Sequence, residues 1–182
     1  MCARSTGAVC CALLLLAQSG CDSSVPVTTE SSPTAATDGA LYQDPKGAFA
    51  MRMPATWTQK GDTPIWKVAS ADGSAASESI VVVVTGVEPS FTADKSAIAF
   101  LRKSIELSDY KDARIRRVLF QDGRRAYEME YTHTVPGKTT RIVQLVVTGD
   151  LYTVTAMYMA PPPEFPARYE AARPYLLTLA AT

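Results

Sequence analysis

The sequence predicts an α+β domain, an antiparallel β-sheet flanked by helices, placed behind a short N-terminal export segment. Three observations carry that expectation. Apolar and polar side chains alternate with period two in stretches from Phe49 to Met159, broken by turns that hold glycine or proline. Helical spacing of apolar residues occurs in only two stretches, about Ala93 to Leu107 and Phe165 to Ala180. The links between the later strands are very short, and short links join antiparallel neighbours.

The first residues form a unit of their own. Arg4 supplies a positive start, and residues 8–17, centred on Leu13 to Leu16, have the length of a signal-peptide core. A bilayer span needs about 20 apolar residues, so this run is too short for a permanent one. The chain has 4 cysteines, the last of them Cys21. Gln18-Ser19-Gly20-Cys21 resembles the lipobox of bacterial lipoproteins, with Gln18 standing where that group usually has an aliphatic residue. The resemblance implies that residues 1–20 are a lipoprotein signal peptide and that Cys21 is the lipidation site, carrying palmitate-type acyl chains. Two acyl chains hold a protein firmly to a membrane, whereas one holds it marginally.

Residues 21–40 are rich in Ser, Thr, Pro and Ala, with valines too scattered for a core. They read as the lipidated cysteine and a flexible tether, reaching on the order of 25 Å. Asp22, next to that cysteine, resembles the Gram-negative inner-membrane retention signal. This implies a lipid-anchored location in the bacterial cell envelope, on the periplasmic face of the inner membrane if the cell is Gram-negative. Past Cys21 there is no cysteine, so residues 41–182 must be held by a hydrophobic core in one domain. The 18 Lys and Arg balance 18 Asp and Glu, which leaves no global field to draw in nucleic acid.

Within that domain, Leu41-Tyr42 and the run Phe49, Met51, Met53 flank Asp44-Pro45-Lys46-Gly47, a type I turn pattern, and so predict a hairpin. Pro54 closes it. Ile65 to Ala69 and Ile80 to Val84 are the next strands. The unbroken valines 81–84 predict a central strand covered on both faces. Thr92 or Ser90 is a candidate cap for the first helix, Asp94 suits its first turn, and Ile98, Leu101 and Ile105 form its apolar stripe. A meander follows: Ile115 to Gln121, the turn Asp122-Gly123, Arg125 to Thr134, the loop Pro136-Gly137-Lys138, Thr140 to Thr148, the turn Gly149-Asp150, and Leu151 to Met159. Pro161-Pro162-Pro163 ends it, and the closing helix must bend or divide at Pro174.

Tyr42, Asp44, Gly47 and Phe49, followed by Met53-Pro54-Ala55-Thr56-Trp57, resemble the signature of the PsbP-like and DcrB-like family. That group includes lumenal proteins of photosystem II and small bacterial envelope lipoproteins. The resemblance covers about Leu41 to Leu179. It implies a PsbP-like α/β/α sandwich and a non-catalytic accessory role with no particular partner.

The side chains that do chemistry are few. One histidine, His133, and no cysteine beyond Cys21 leave no four-ligand zinc set and no Cys-His pair. His133 reads as a partly buried packing residue. No serine stands in a Gly-x-Ser-x-Gly elbow, and Gly73 and Gly86 make no phosphate loop. Glu128 and Glu130 lie about 7 Å apart along a strand, and the expectation is an exposed, wetted face. Arg114, Arg116, Arg117, Arg124 and Arg125 surround the Asp122-Gly123 turn and form a candidate docking surface for a carboxylate or an anionic headgroup. The expectation is therefore a protein that is not an enzyme and carries no cofactor or metal. It acts as an accessory or protein-interaction module, tied to the membrane by its lipid anchor and meeting an envelope protein of unknown identity. The alternative is a small-ligand or lipid-binding module with a pocket between sheet and helices.

Overall fold

A computed structural model describes residues 25–68, 78–108 and 110–182. The signal peptide and Cys21 lie outside the described residues, as does the loop at 69–77. The strands are β1 (Val27–Ser31), β2 (Ala40–Gln43), β3 (Phe49–Met53), β4 (Trp57–Gln59), β5 (Ile65–Val68), β6 (Ser79–Gly86), β7 (Lys111–Leu119), β8 (Arg125–Val135), β9 (Lys138–Thr148), β10 (Tyr152–Ala160) and β11 (Ala180–Ala181). The helices are α1 (Asp94–Ser108) and α2 (Phe165–Leu176). An eight-stranded sheet runs β1-β7-β8-β9-β10-β6-β5-β4, and a three-stranded sheet runs β11-β3-β2. All pairings are antiparallel except that of β1 with β7.

The α+β reading holds, with helices flanking the sheet. Alternation along each strand divides two cores. Ile80, Val82, Val143, Leu145, Ala156 and Tyr158 point to the side covered by α2 and the small sheet. Tyr127, Met129, Tyr131, Ile142 and Val146 point to α1, which returns Ala97, Ile98, Leu101 and Ile105. Leu101 is 2% exposed, so Leu101→Ala should cost about 2–5 kcal/mol. Urea denaturation measures this, and a near-neutral result would mean that the stripe does not face the sheet.

Several expectations need correction. The valine run is interior in strand order but not covered on both faces: Val82 is buried while Val83 is 43% exposed. The helix α1 shares its core with β7, β8 and β9, and this leaves the same face of β6 open. Thr92 and Ser90 serve the 3₁₀ turn before α1: the Thr92 hydroxyl donates to the Pro89 carbonyl and the Ser90 hydroxyl to Glu88. The closing helix ends at Leu176 rather than Ala180, because the last residues leave it to pair with Phe49 and Ala50 as β11. Pro174 does lie inside α2. At the predicted hairpin the Asp44 carboxylate accepts from the Lys46 and Ala48 amides, and Gly47 takes a φ of 73°. That hairpin belongs to the small sheet.

The largest correction concerns residues 25–40 of the expected tether. Val27–Ser31 is a strand at the sheet edge, parallel to β7. Beyond it the Ala36 amide donates to the Pro174 carbonyl, and the Tyr175 hydroxyl donates to Asp38 at 3.0 Å. At Gly39 (φ 83°) a Cβ would come within 2.5 Å of the Met53 carbonyl oxygen. This stretch is laid along the domain. Its hold comes from backbone pairing, polar contacts and three isolated apolar residues, Val25, Val27 and Ala35, packed against the two cores, too few and too scattered to make a periodic pattern.

Candidate functional site

The Asp122-Gly123 turn sets the register of β7 against β8, so that Arg114 stands opposite Glu130 and Arg116 opposite Glu128. Opposite charges in directly facing positions attract across a sheet. These side chains point to the α2 side, where β1 adds Glu30, β9 adds Arg141 and α2 adds Arg173. Glu128 accepts from Arg116 at 2.6 Å with one oxygen and from Arg173 at 2.8 Å with the other. Glu130 accepts twice from Arg114, at 2.6 and 2.7 Å, and twice from Arg141, at 3.0 and 2.8 Å. Arg173 also grips Glu30 with both terminal nitrogens, at 3.1 and 2.6 Å.

Glu128 and Glu130 are 4% and 6% exposed, not the wetted pair expected. Burial alone would push the Glu130 carboxyl up, but the hydrogen bonds of Arg114 and Arg141 outweigh it and hold it below its ordinary value. For Arg173, burial works against the charge, while Glu30 and Glu128 hold its value above the ordinary one. A carboxylate committed in this way is a poor proton carrier, so this cluster has the chemistry of a locked ionic network.

The network borders a groove of about 500 Å³. Arg114, Arg116 and Arg141 form one wall, with Pro162 from the preceding turn and Phe165, Pro166 and Tyr169 from the start of α2 across it. At the rim, the register of β7 slips between Lys111 and Arg114, and Asp112 adopts a φ of 50°. Bulges of this kind re-aim side chains beside functional sites. The Asp112 carbonyl accepts from Arg141. The Tyr169 hydroxyl is buried with no hydrogen-bond partner. Burial, reinforced by Glu128 and opposed by Arg173 and Arg116, pushes that phenol above its ordinary value.

The five arginines singled out in the sequence do not share one face. Arg114 and Arg116 line the groove. Arg117 is on the opposite face and bridges to Asp94 in the first turn of α1. Arg124 binds Asp122 at 2.7 Å, lies 4.6 Å over the Phe120 ring, and donates to the Leu179 carbonyl. Arg125 is exposed at the start of β8. His133 is exposed rather than partly buried, edge-on to Tyr110. Arg141 and Arg173 were not anticipated. The register counted back from Pro136-Gly137 places Arg141 opposite Thr132, one alternate position from Glu130, but nothing local predicts Arg173. Among the described residues, no group of three or more His, Cys, Asp and Glu side chains could hold a metal ion. No described helix is long and apolar enough to cross a membrane.

No protein-family model and no curated protein matches the chain. Solved structures do. CyanoP, the cyanobacterial PsbP of Synechocystis sp. PCC 6803, aligns over 82% of this chain and 98% of its own, with a TM-score of 0.52 at 14% identity. The fold is PsbP-like. The same PsbP-like fold relates the chain to LpqN of Mycobacterium tuberculosis, a protein involved in cell envelope biogenesis: TM-score 0.53, 13% identity, 80% of this chain and 91% of that one. A Bacteroides thetaiotaomicron protein aligns at a TM-score of 0.51 and 13% identity over 79% of this chain, which spans 48% of that longer one. The residues that carried the sequence resemblance to the PsbP-like family, Tyr42 to Trp57, build β2, β3 and the start of β4.

Proposed function

We propose that this protein is a non-enzymatic lipoprotein of the bacterial cell envelope, anchored by acyl chains on Cys21 and acting as an accessory or protein-interaction module. The observation that carries this reading is Ser19-Gly20-Cys21 behind a short apolar run. Two facts support it. The PsbP-like fold is shared with LpqN, whose role lies in the cell envelope, and Glu128 and Glu130 are committed to arginines rather than poised for proton transfer. Asp22 favours the periplasmic face of the inner membrane. With β1 starting at Val27, fully extended chain from Cys21 spans about 20 Å at most, so the β1 edge of the sheet stays close to the bilayer.

Cys21→Ser should abolish incorporation of a fatty-acid analogue and leave an unprocessed precursor or a soluble species. Equal labelling of mutant and wild type would remove the anchor and the location with it. The alternative, a small-ligand module, is favoured by one observation: the arginine-walled groove.

A further inference from the structure

We propose that the groove between β7–β9 and the start of α2 binds a phosphate group carried on a small organic body. This goes beyond the anchor reading and does not rest on it. The charge count comes first. Arg114, Arg116, Arg141 and Arg173 face Glu30, Glu128 and Glu130, so four guanidinium groups meet three carboxylates. The fourth acid, Asp112, is 80% exposed and 4.0 Å from Arg141, where water screens it. The groove wall is left with an excess of positive charge.

The donors come next. The bonds to Glu130 and Glu128 use Nε and Nη2 of Arg114 and Nη1 of Arg116. Nη1 of Arg114 and Nη2 of Arg116 have no hydrogen-bond partner among the described residues. The Tyr169 hydroxyl is orphaned beside them. A buried hydroxyl without a partner is destabilising and calls for an explanation; a ligand oxygen supplies one. The ligand's shape follows from the donors. Arg114 already spends its side-on pair, Nε with Nη2, on Glu130, and Arg116 spends Nη1 on Glu128. What remains is Nη1 of Arg114, Nη2 and Nε of Arg116, the latter 3.7 Å from Glu30, and the Tyr169 hydroxyl. These donors come from three separate side chains, which suits the diverging oxygens of a tetrahedral group. The volume of about 500 Å³ is that of a small-molecule site and exceeds the needs of a bare phosphate. Pro162, Phe165 and Pro166 offer the organic body an apolar wall.

Phosphate chemistry of this kind reaches an envelope protein from a soluble ester or from a phospholipid headgroup. The full-length protein in nonionic detergent, titrated calorimetrically with phenyl phosphate, tests the site. Saturable binding is expected. Arg114→Gln should weaken it about tenfold, the loss of one charge-assisted contact. Tyr169→Phe should weaken it several-fold while leaving the thermal midpoint unchanged or higher, because the hydroxyl has no partner within the fold. Competition by short-chain phosphatidylglycerol identifies the headgroup as the source, and its failure to compete identifies a soluble ester. Absence of saturable binding at millimolar phenyl phosphate, or equal affinity in Arg114→Gln, Tyr169→Phe and wild type, overturns the proposal. The Cys21→Ser protein should bind as wild type does, so the anchor and the groove stand or fall separately.

Discussion

Glu128→Ala is expected to cost about 3–5 kcal/mol, the range for removing one partner of a buried ionic pair. The carboxylate is 4% exposed and joins Arg116 on β7 to Arg173 on α2. Its loss leaves two guanidinium groups sharing Glu30 on the edge strand β1. The instability would come from the charges left behind more than from attraction lost. A control follows from that distinction. Replacing Glu128 and Arg173 together with methionine should restore much of the deficit, since apolar side chains of similar volume substitute well for buried pairs. Urea denaturation of the single and double variants decides it. A cost below about 1 kcal/mol for Glu128→Ala would place the network in the class of solvent-screened surface pairs.

The neighbouring Glu130 adds a pH signature. Its folded value is depressed, so the unfolded chain binds this proton more readily than the folded one. The stabilisation it supplies is therefore complete above the ordinary carboxylate range and fades as the pH falls through the lower folded value. Glu130→Gln should flatten that acid limb of the stability curve.

The sequence disclosed what local pattern encodes. Period-two alternation located β3 and β8, the valine run located β6, turn residues bounded β7, β9 and β10, and the 3.6-residue stripe Ile98, Leu101, Ile105 located α1 and its buried side. Turn chemistry located the β7–β8 hairpin, with Gly123 at a φ of 85°. A two-residue Asp122-Gly123 loop would set Arg114 opposite Tyr131 and Arg116 opposite Met129. The loop holds three residues, with Phe120 bonding Arg124, and that one-residue shift sets the arginines opposite Glu130 and Glu128. Burial of those glutamates stayed hidden because it depends on α2, which arrives from a distant part of the chain carrying Arg173 and Tyr169. A charged residue alternating along a strand reads as solvent-facing until its long-range partner is known. The same blindness scattered the supposed arginine patch: alternation sends Arg116 and Arg117 to opposite faces, and Arg117 meets an acid from α1 that the hairpin alone does not reveal.

The second large effect concerns the segment that composition marked as a tether. A chain comprising residues 25–182 should unfold at the full-length midpoint, whereas one comprising residues 33–182 should unfold at a clearly lower one. The second truncation strips β1 from β7 and removes Glu30, whose carboxylate both terminal nitrogens of Arg173 grip. It also exposes the edge of β7, where Ile115 now donates its amide to the Pro26 carbonyl. An uncovered edge with unpaired backbone groups favours association between chains, so a rise in aggregation should accompany the lost stability. Denaturant midpoints and light scattering on the two truncations provide the comparison. Equal midpoints would show that β1 is an appendage and return residues 21–40 to the role of spacer. The predicted loss would make β1 part of the fold. The anchor at Cys21 would then hold the domain by a short leash on one defined sheet edge, which limits how the arginine-walled groove can turn relative to the membrane.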